Sequence, residues 1–355
     1  MTDDTAPPTG SAPRAAELLA ELRTLIVRHA GGRPVRKTWV LDGVALTCAN
    51  RPTLPVSAMS EPSLAVVARG VKRTVLNGVP HDYRAGQYLV VPVELPVTGQ
   101  ALEATDDEPF AVFSMTLDPM AIAPLLLETP GTAKPPLSPG LVVSDATSEL
   151  LDPVVRLLRL LGRPDDLRVL APGIQREILW RLITGDQGAL VRQIGLANSS
   201  IARVSRTIRW IRRHYDEPLR VADLAELAHM SPSAFHRHFR AATSMTPVQF
   251  QRQIRLREAH ALLMAGPVEV AETGHRVGYG SPSQFSREYR KEFGAPPGRH
   301  AARHTAPGPP PRTGPTDLTP APRSGPGGGH AGCGAGCWGA APPARPHHIS
   351  AGGHA

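Results

Sequence analysis

Residues 231–240 read SPSAFHRHFR, and fifty positions later residues 281–290 read SPSQFSREYR. Six of the ten positions are identical, and Phe239 against Tyr289 adds a conservative seventh. Each copy starts as a helix should. Ser231 and Ser281 can accept hydrogen bonds from the first unpaired backbone N–H groups as N-caps. Pro232 and Pro282 stand at the first helical position, where a missing N–H costs nothing. Four-residue spacing turns Phe235 with Phe239, and Phe285 with Tyr289, inward, while His236 and Arg237, or Ser286 and Arg287, point outward.

Each copy follows a short helix and a tight turn. LRVADLAELAHM (219–230) carries an apolar stripe of Val221, Leu224, Ala225 and Ala228, and VEVAETGHRVGYG (268–280) precedes the second copy. Small residues suit a helix crossing, and Ala225 and Gly274 stand in matching places, four residues before His229 and Gly278. Helix, turn and outward polar second helix make the helix-turn-helix that reads DNA. A structural helical hairpin accounts for one copy, but not for two with matched caps in the most basic part of the chain. Residues 196–304 hold 17 Lys/Arg against 9 Asp/Glu, residues 1–195 hold 19 against 21, and residues 305–355 hold 3 against 1. A near-neutral half joined to a basic block is the footprint of a regulatory or assembly part joined to a polyanion-binding one. The helix before the repeat, about Ser199–Tyr215, turns Ile201, Val204, Ile208 and Ile211 inward, with Arg203, Arg206, Arg209, Arg212 and Arg213 over the remaining surface.

Further towards the N-terminus the period changes. Residues 14–30 have helical apolar spacing and stop at Gly31-Gly32. From Thr38 to about Val97 short β-rich runs alternate with turns, clearest at Leu64–Ala68, Thr74–Leu76 and Tyr88–Val93, with Asn77-Gly78 as a hairpin turn. Five prolines between 55 and 96 favour a small antiparallel barrel or sandwich. From about 141 the pattern is helical, with amphipathic helices at 148–161 and 172–185 that offer either a dimer face or a surface packed on the barrel. Residues 1–13 and the Pro/Gly/His-rich tail 305–355 have too few apolar side chains to offset ordering entropy and are expected to be disordered.

Residues 205–300 resemble the tandem helix-turn-helix domain of the AraC/XylS family of bacterial transcription regulators, through EPLRVADLAELAHMSPSAFHRHF, a connecting helix near Pro247–Met264, and RVGYGSPSQFSREYRKEFGAPP. AGQYLVVPVELPVTGQ (85–100) and the helices to about 195 resemble the effector or dimerisation domain of one AraC-type subgroup. The resemblance implies an α+β chain. A small β-rich, cupin-like N-terminal domain with flanking helices (14–195) precedes an all-α, homeodomain-like double helix-turn-helix domain (196–304). It implies recognition helices that enter successive major grooves, with Ser233, His236 and Arg237 on base edges in the first and Ser283, Ser286 and Arg287 in the second. Arg240, Arg290 and Lys291, one turn on, suit phosphates. The implied partners are double-stranded promoter DNA, RNA polymerase, a small-molecule effector and a second copy of the chain.

Departures from the family pattern fall at His229 and Ser244, where Gly is usual, and at Thr273, Gly274 and His275 in the first helix of the second unit. A glycine inside a helix costs about 0.8–1 kcal/mol against Ala, so the second unit is expected to be the less stable. Two other readings compete with a specific regulator. A non-specific architectural DNA binder would need no sensor-like region at 38–195. A cupin-type enzyme would need converging metal ligands, and between 38 and 100 there is one histidine, His81, beside Asp82. No serine elbow, Walker loop or dinucleotide fingerprint is present. Cys333 and Cys337, with histidines nearby, match no structural zinc module, so neither metal nor cofactor is expected. Cys48 reads as a small buried apolar residue. Three cysteines fit a reducing compartment. With no basic-then-apolar start in MTDDTAPPTG and no apolar run near 18 residues, the sequence reads as cytoplasmic and not membrane-bound.

Overall fold

The structure, a computed structural model, describes residues 11–30, 35–128, 141–266 and 268–301. The expectations for residues 1–10 and for the tail with Cys333 and Cys337 lie outside the described residues.

Among the described residues, ten strands form two antiparallel sheets. They are β1 (Val35–Leu41), β2 (Val44–Ala49), β3 (Val56–Ser60), β4 (Ser63–Arg69), β5 (Val71–Leu76), β6 (Val79–Arg84), β7 (Gln87–Val91), β8 (Leu95–Ala101), β9 (Phe110–Thr116) and β10 (Val142–Asp145). The larger sheet has the order β1-β2-β9-β4-β7-β10 and the smaller β3-β8-β5-β6. Asn77 and Gly78, at φ of 50° and 78°, make the two-residue turn that joins β5 to β6, as the dipeptide predicts. The β-region runs past the expected limit near Val97, through β9 to Thr116. β10 also interrupts the stretch read as helical, because four residues are too few to show a period; Val142 pairs with Val90 of β7.

The larger sheet is covered on both faces, which is why β2 (VALTCA) is buried along its whole length and shows no alternation. On one face lies α1 (Ser11–Ala30), whose stripe of Leu18, Leu22, Leu25 and Ile26 packs over β2, β4 and β9. Fully burying Leu22 and Ile26 contributes about 1.5–3 kcal/mol each. This helix begins at Ser11, within the stretch expected to be disordered, since Pro13 is tolerated in a first turn. Cys48 is buried and unpaired, and burial pushes its thiol pKa up.

The helices after β9 are α2 (Pro119–Leu127), α3 (Ser148–Arg159), α4 (Pro164–Thr184) and α5 (Gly188–Gly195). The apolar stripe of α3 lies between α1 and α4, with Leu157 fully buried and Leu161 beyond its end packed on the same core. It is therefore interior, and the alternative of a dimer face on this stripe is set aside. The second helix starts at Pro164, eight residues before the expected 172. Pro164 stands at its N-terminus, Asp165 and Asp166 complement the dipole of its first turn, and Pro172 removes one hydrogen bond without ending it.

Seven further helices follow among the described residues: α6 (Ser200–Arg213), α7 (Val221–Leu227), α8 (Pro232–Thr243), α9 (Pro247–Ala265), α10 (Val270–Arg276), α11 (Pro282–Phe293) and α12 (Pro297–Ala301). The core of α6–α8 is continuous with that of the β-rich part. A separate cluster of Leu256, Ala259, Leu263, Val277, Tyr279, Phe285 and Tyr289 holds α9–α11 together.

Candidate nucleic-acid interface

The two repeats fold into two copies of one three-helix unit, α6–α8 and α9–α11. In each, a short helix ends in a turn closed by the same pair of backbone bonds. His229 N–H donates to Glu226 O (2.8 Å) and Met230 N–H to Ala225 O (3.0 Å); Gly278 N–H donates to His275 O (2.9 Å) and Tyr279 N–H to Gly274 O (3.0 Å). These matches are 49 residues apart, whereas the recognition helices are 50 apart, so Gly280 is one extra residue in the second turn. Ser231 and Ser281 then cap α8 and α11 by accepting from Ala234 N–H (3.3 Å) and Gln284 N–H (3.4 Å). Both helices end on a left-handed residue, Ser244 at φ 58° and Gly294 at φ 72°.

The aromatic pairs do what their spacing predicts. Phe235, Phe239, Phe285 and Tyr289 are fully buried, with ring centroids 5.4 Å apart in the first pair and 5.6 Å in the second. Their burial fixes the rotation of each helix. It leaves Ser233, His236, Arg237 and Arg240 exposed along one edge of α8 at spacings of three, one and three residues. On α11 the same edge carries Ser283, Arg287, Arg290 and Lys291, all exposed, with Ser286 half-buried. Every expected contact residue thus lies on the surface edge of its recognition helix. Ser233 and Ser283 also lie 3.4 and 3.0 Å from the hydroxyls of their caps, Ser231 and Ser281.

The departures at the turns have a structural consequence. His229 and Ser244 hold positive φ (50° and 58°) without being glycine, whereas the second unit has Gly278 and Gly294 in those places. Backbone strain therefore sits in the first unit, opposite to where helix propensity put the weakness. The smaller, separate core of the second unit still favours the original ordering. Gly274 is a close-packing position, because a Cβ there would lie 3.0 Å from the Phe285 ring. Thr273 is fully buried and satisfies its hydroxyl on Glu269 O at 2.9 Å.

Not all the arginines of the basic block face outward. Arg203 Nη1 donates to His229 O (3.0 Å), and Arg255 Nη1 donates to Gly278 O (2.7 Å), so each unit braces its turn with an arginine from its first helix. Arg206 donates to Ala197 O at 3.3 Å, and Arg212 pairs with Glu94 beside the β-rich part. Among the five α6 arginines assigned to free surface, three thus have structural partners. Two further contacts cross from the β-rich part to these helices. Asn77, at the hairpin tip, donates through Nδ2 to the carbonyl of Ser244, the C-cap of α8 (2.9 Å). Arg257 of α9 donates through Nη1 to Ala58 O (2.8 Å) and Val97 O (3.0 Å), and burial pushes its pKa down to about 10. Sequence separations of 160 or more residues gave no signal for these contacts.

Residues 40–190 match the AraC-type transcriptional regulator N-terminus, and residues 224–303 match a helix-turn-helix domain. The chain belongs to the AraC/XylS family of transcription regulators. Among its relatives, the HTH-type transcriptional activator RhaS of Salmonella agona (strain SL483) is 30% identical over 148 residues, covering 41% of this chain and 51% of RhaS. RhaS of Salmonella schwarzengrund (strain CVM19633) is 28% identical over 147 residues with the same coverage. The chain spans about half the length of the RhaS relatives it matches. Among solved structures, unsaturated fatty acid-bound ToxT from Vibrio cholerae strain SCE256 aligns at a TM-score of 0.45 and 11% identity, over 74% of this chain and 95% of ToxT. Among the described residues of this AraC-family chain, no helix is long and apolar enough to cross a membrane. His81 is half-buried, and the neighbouring Asp82 makes a bidentate pair with Arg73 (2.7 and 2.6 Å).

Proposed function

We propose that this AraC-family chain is a sequence-specific DNA-binding transcription regulator that acts by binding and not by catalysis. Residues 196–304 would bind promoter DNA, and residues 14–195 would form the effector and dimerisation part. The observation that carries the reading is the matched pair of capped helices, α8 and α11, each presenting a Ser, Ser/His, Arg, Arg edge away from its core. In this reading Ser233, His236, Arg237, Ser283, Ser286 and Arg287 meet base edges, and Arg240, Arg290 and Lys291 meet phosphates. Contacts of Asn77 and Arg257 with α8 and α9 support control of DNA binding from the β-rich part. The tie at Asn77 reaches the end of a recognition helix itself. A dimer face, if formed, would use a surface other than the buried α3 stripe; Val169 and Leu170 of α4 are exposed apolar residues on a different helix.

Genome-wide occupancy followed by footprinting of the purified full chain tests this. The expected outcome is protection at discrete promoter sites, with an affinity that falls as salt rises, by a log–log slope near −0.9 per phosphate neutralised. Uniform coverage of unrelated DNA would favour the architectural alternative.

A further inference from the structure

Ser281 and Gln284 stand three residues apart, the spacing of a capping box, in which the amide at the third helical position reaches back to the N–H of the cap. α9 forms that box: Gln249 Oε1 accepts from Thr246 N–H at 2.9 Å, and Thr246 Oγ1 accepts from Gln249 N–H at 3.3 Å. α11 forms only half of it. Ser281 Oγ accepts from the Gln284 backbone N–H, but the Gln284 amide turns the other way and donates through Nε2 to Glu288 Oε1 at 3.1 Å. The second oxygen of Glu288 accepts from the Tyr279 hydroxyl at 2.8 Å. Tyr279 is buried against Phe285, with ring centroids 5.3 Å apart. The chain of bonds therefore starts in the core of the second unit and ends on an exposed side chain.

Its direction is fixed by chemistry. A carboxylate only accepts, so the nitrogen of the Gln284 amide faces Glu288 and the oxygen faces away. Burial, and then the bond to Glu288, push the Tyr279 phenol pKa up, so the phenol remains the donor. Gln284 keeps Oε1 and a second N–H for another partner. The rotation of α11 says where they are presented. At about 100° per residue, Arg287 stands opposite the midpoint of Phe285 and Tyr289, and Gln284 lies about 60° to one side of it. Ser286 lies about 100° to the other side, which is why it is half-buried while Gln284 is exposed. Gln284 is also in the first turn of α11, and the N-terminal residues of a recognition helix are those that contact base edges. The first unit has Ala234, His238 and Met230 in the three matching positions, and Ala234 has no polar atom with which to read a base.

We propose that Gln284 reads an adenine in the major groove, with Oε1 accepting from the N6 amine and Nε2 donating its second N–H to N7. Glu288 and Tyr279 are positioning residues that decide which way the amide faces. The pairing follows from the pattern on the bases, because adenine alone sets an amine donor beside the N7 acceptor. This inference rests on the DNA-binding reading of α11 and adds a specificity-determining residue to it. It also makes the two halves of the site unequal: Ser and Arg recur on both recognition helices, but the adenine reader belongs to the second.

The test selects preferred sites for the full chain and its variants from a randomised duplex library. Wild type is expected to favour adenine at one position, a preference that Gln284→Ala relaxes about fivefold or more with the other positions unchanged. Placing 7-deazaadenine there removes N7; it should weaken wild type about threefold or more and leave Gln284→Ala unaffected. Glu288→Gln is isosteric and still accepts from Tyr279 through its oxygen. It then offers an N–H to Gln284, which turns the Gln284 oxygen inward and both of its N–H groups outward. The adenine preference should be lost and move toward guanine, whose O6 and N7 both accept. A helix-surface pair with only a structural role would leave every base preference alone. Preferences in Gln284→Ala identical to wild type, relaxation at a base other than adenine, or adenine still favoured by Glu288→Gln would overturn the proposal. A wild type that selects no site fails the regulator reading itself, whereas a selected site that Gln284→Ala leaves unchanged fails this assignment alone.

Discussion

The two turns form a natural exchange experiment, because one backbone position holds His229 in the first unit and Gly278 in the second. Both are left-handed, at φ of 50° and 89°. A non-glycine residue there costs roughly 1–2 kcal/mol, and glycine costs about 0.5–1 kcal/mol through the freedom it has in the unfolded chain. The His229 side chain is exposed, and Arg203 holds its carbonyl, which a substitution leaves in place. His229→Gly should therefore stabilise the first unit by about 0.5–1 kcal/mol. Gly278→Ala adds a steric cost to the conformational one. Its Cβ would lie 2.3 Å from Asp216 O and 2.8 Å from Asp216 C and Cα. All three atoms are backbone, so no rotamer change relieves the contact, and overpacking of this kind adds about 1–3 kcal/mol. The expected loss is about 2–4 kcal/mol in the second unit. Amide hydrogen exchange on the full chain resolves the units separately, because opening free energies are read residue by residue. Protection in α8 should rise about two- to fivefold in His229→Gly, and protection in α11 should fall more than about tenfold in Gly278→Ala. A loss in the first variant as large as that in the second would refute the argument from turn strain and Asp216.

Arg237→Ala should cost about 1–3 kcal/mol at the preferred site and relax selection at one base pair, whereas Arg290→Ala should weaken all sequences alike; binding to a randomised DNA library separates the two. Leu157→Glu places a carboxylate at a fully buried position in α3. It should therefore lower stability by about 3 kcal/mol or more, seen as misfolding in thermal melts, without yielding a folded monomer. The Arg159 guanidinium, bidentate to Glu21 at 2.6 Å, holds that carboxyl below its usual value. The α1–α3 link is therefore complete at neutral pH and weakens as pH falls through the carboxylate range, and exchange of the α1 amides in acid reports it.

The helices of the DNA-binding half were legible because their signals are local. Cap, first-turn proline and four-residue aromatic spacing each act within one or two turns of chain, so Ser231, Phe235 and their counterparts specify both the start of a helix and its rotation. The Asn77-Gly78 turn was legible for the same reason, since two adjacent residues supply the positive φ it needs. Most other strands were not. β2 is buried on both faces and loses its alternation, β10 is too short to have one, and α4 begins before a proline that looks like a boundary. The roles of charged residues were legible least of all. Arg203, Arg255 and Arg257 have the same side chain as the exposed Arg237, and what separates a brace or a tie to the β-rich part from an arginine left on the surface is which carbonyl lies within 3 Å of the guanidinium. Short-range backbone preferences are written in the sequence by itself, while long-range pairing of side chains is decided when strands and helices pack.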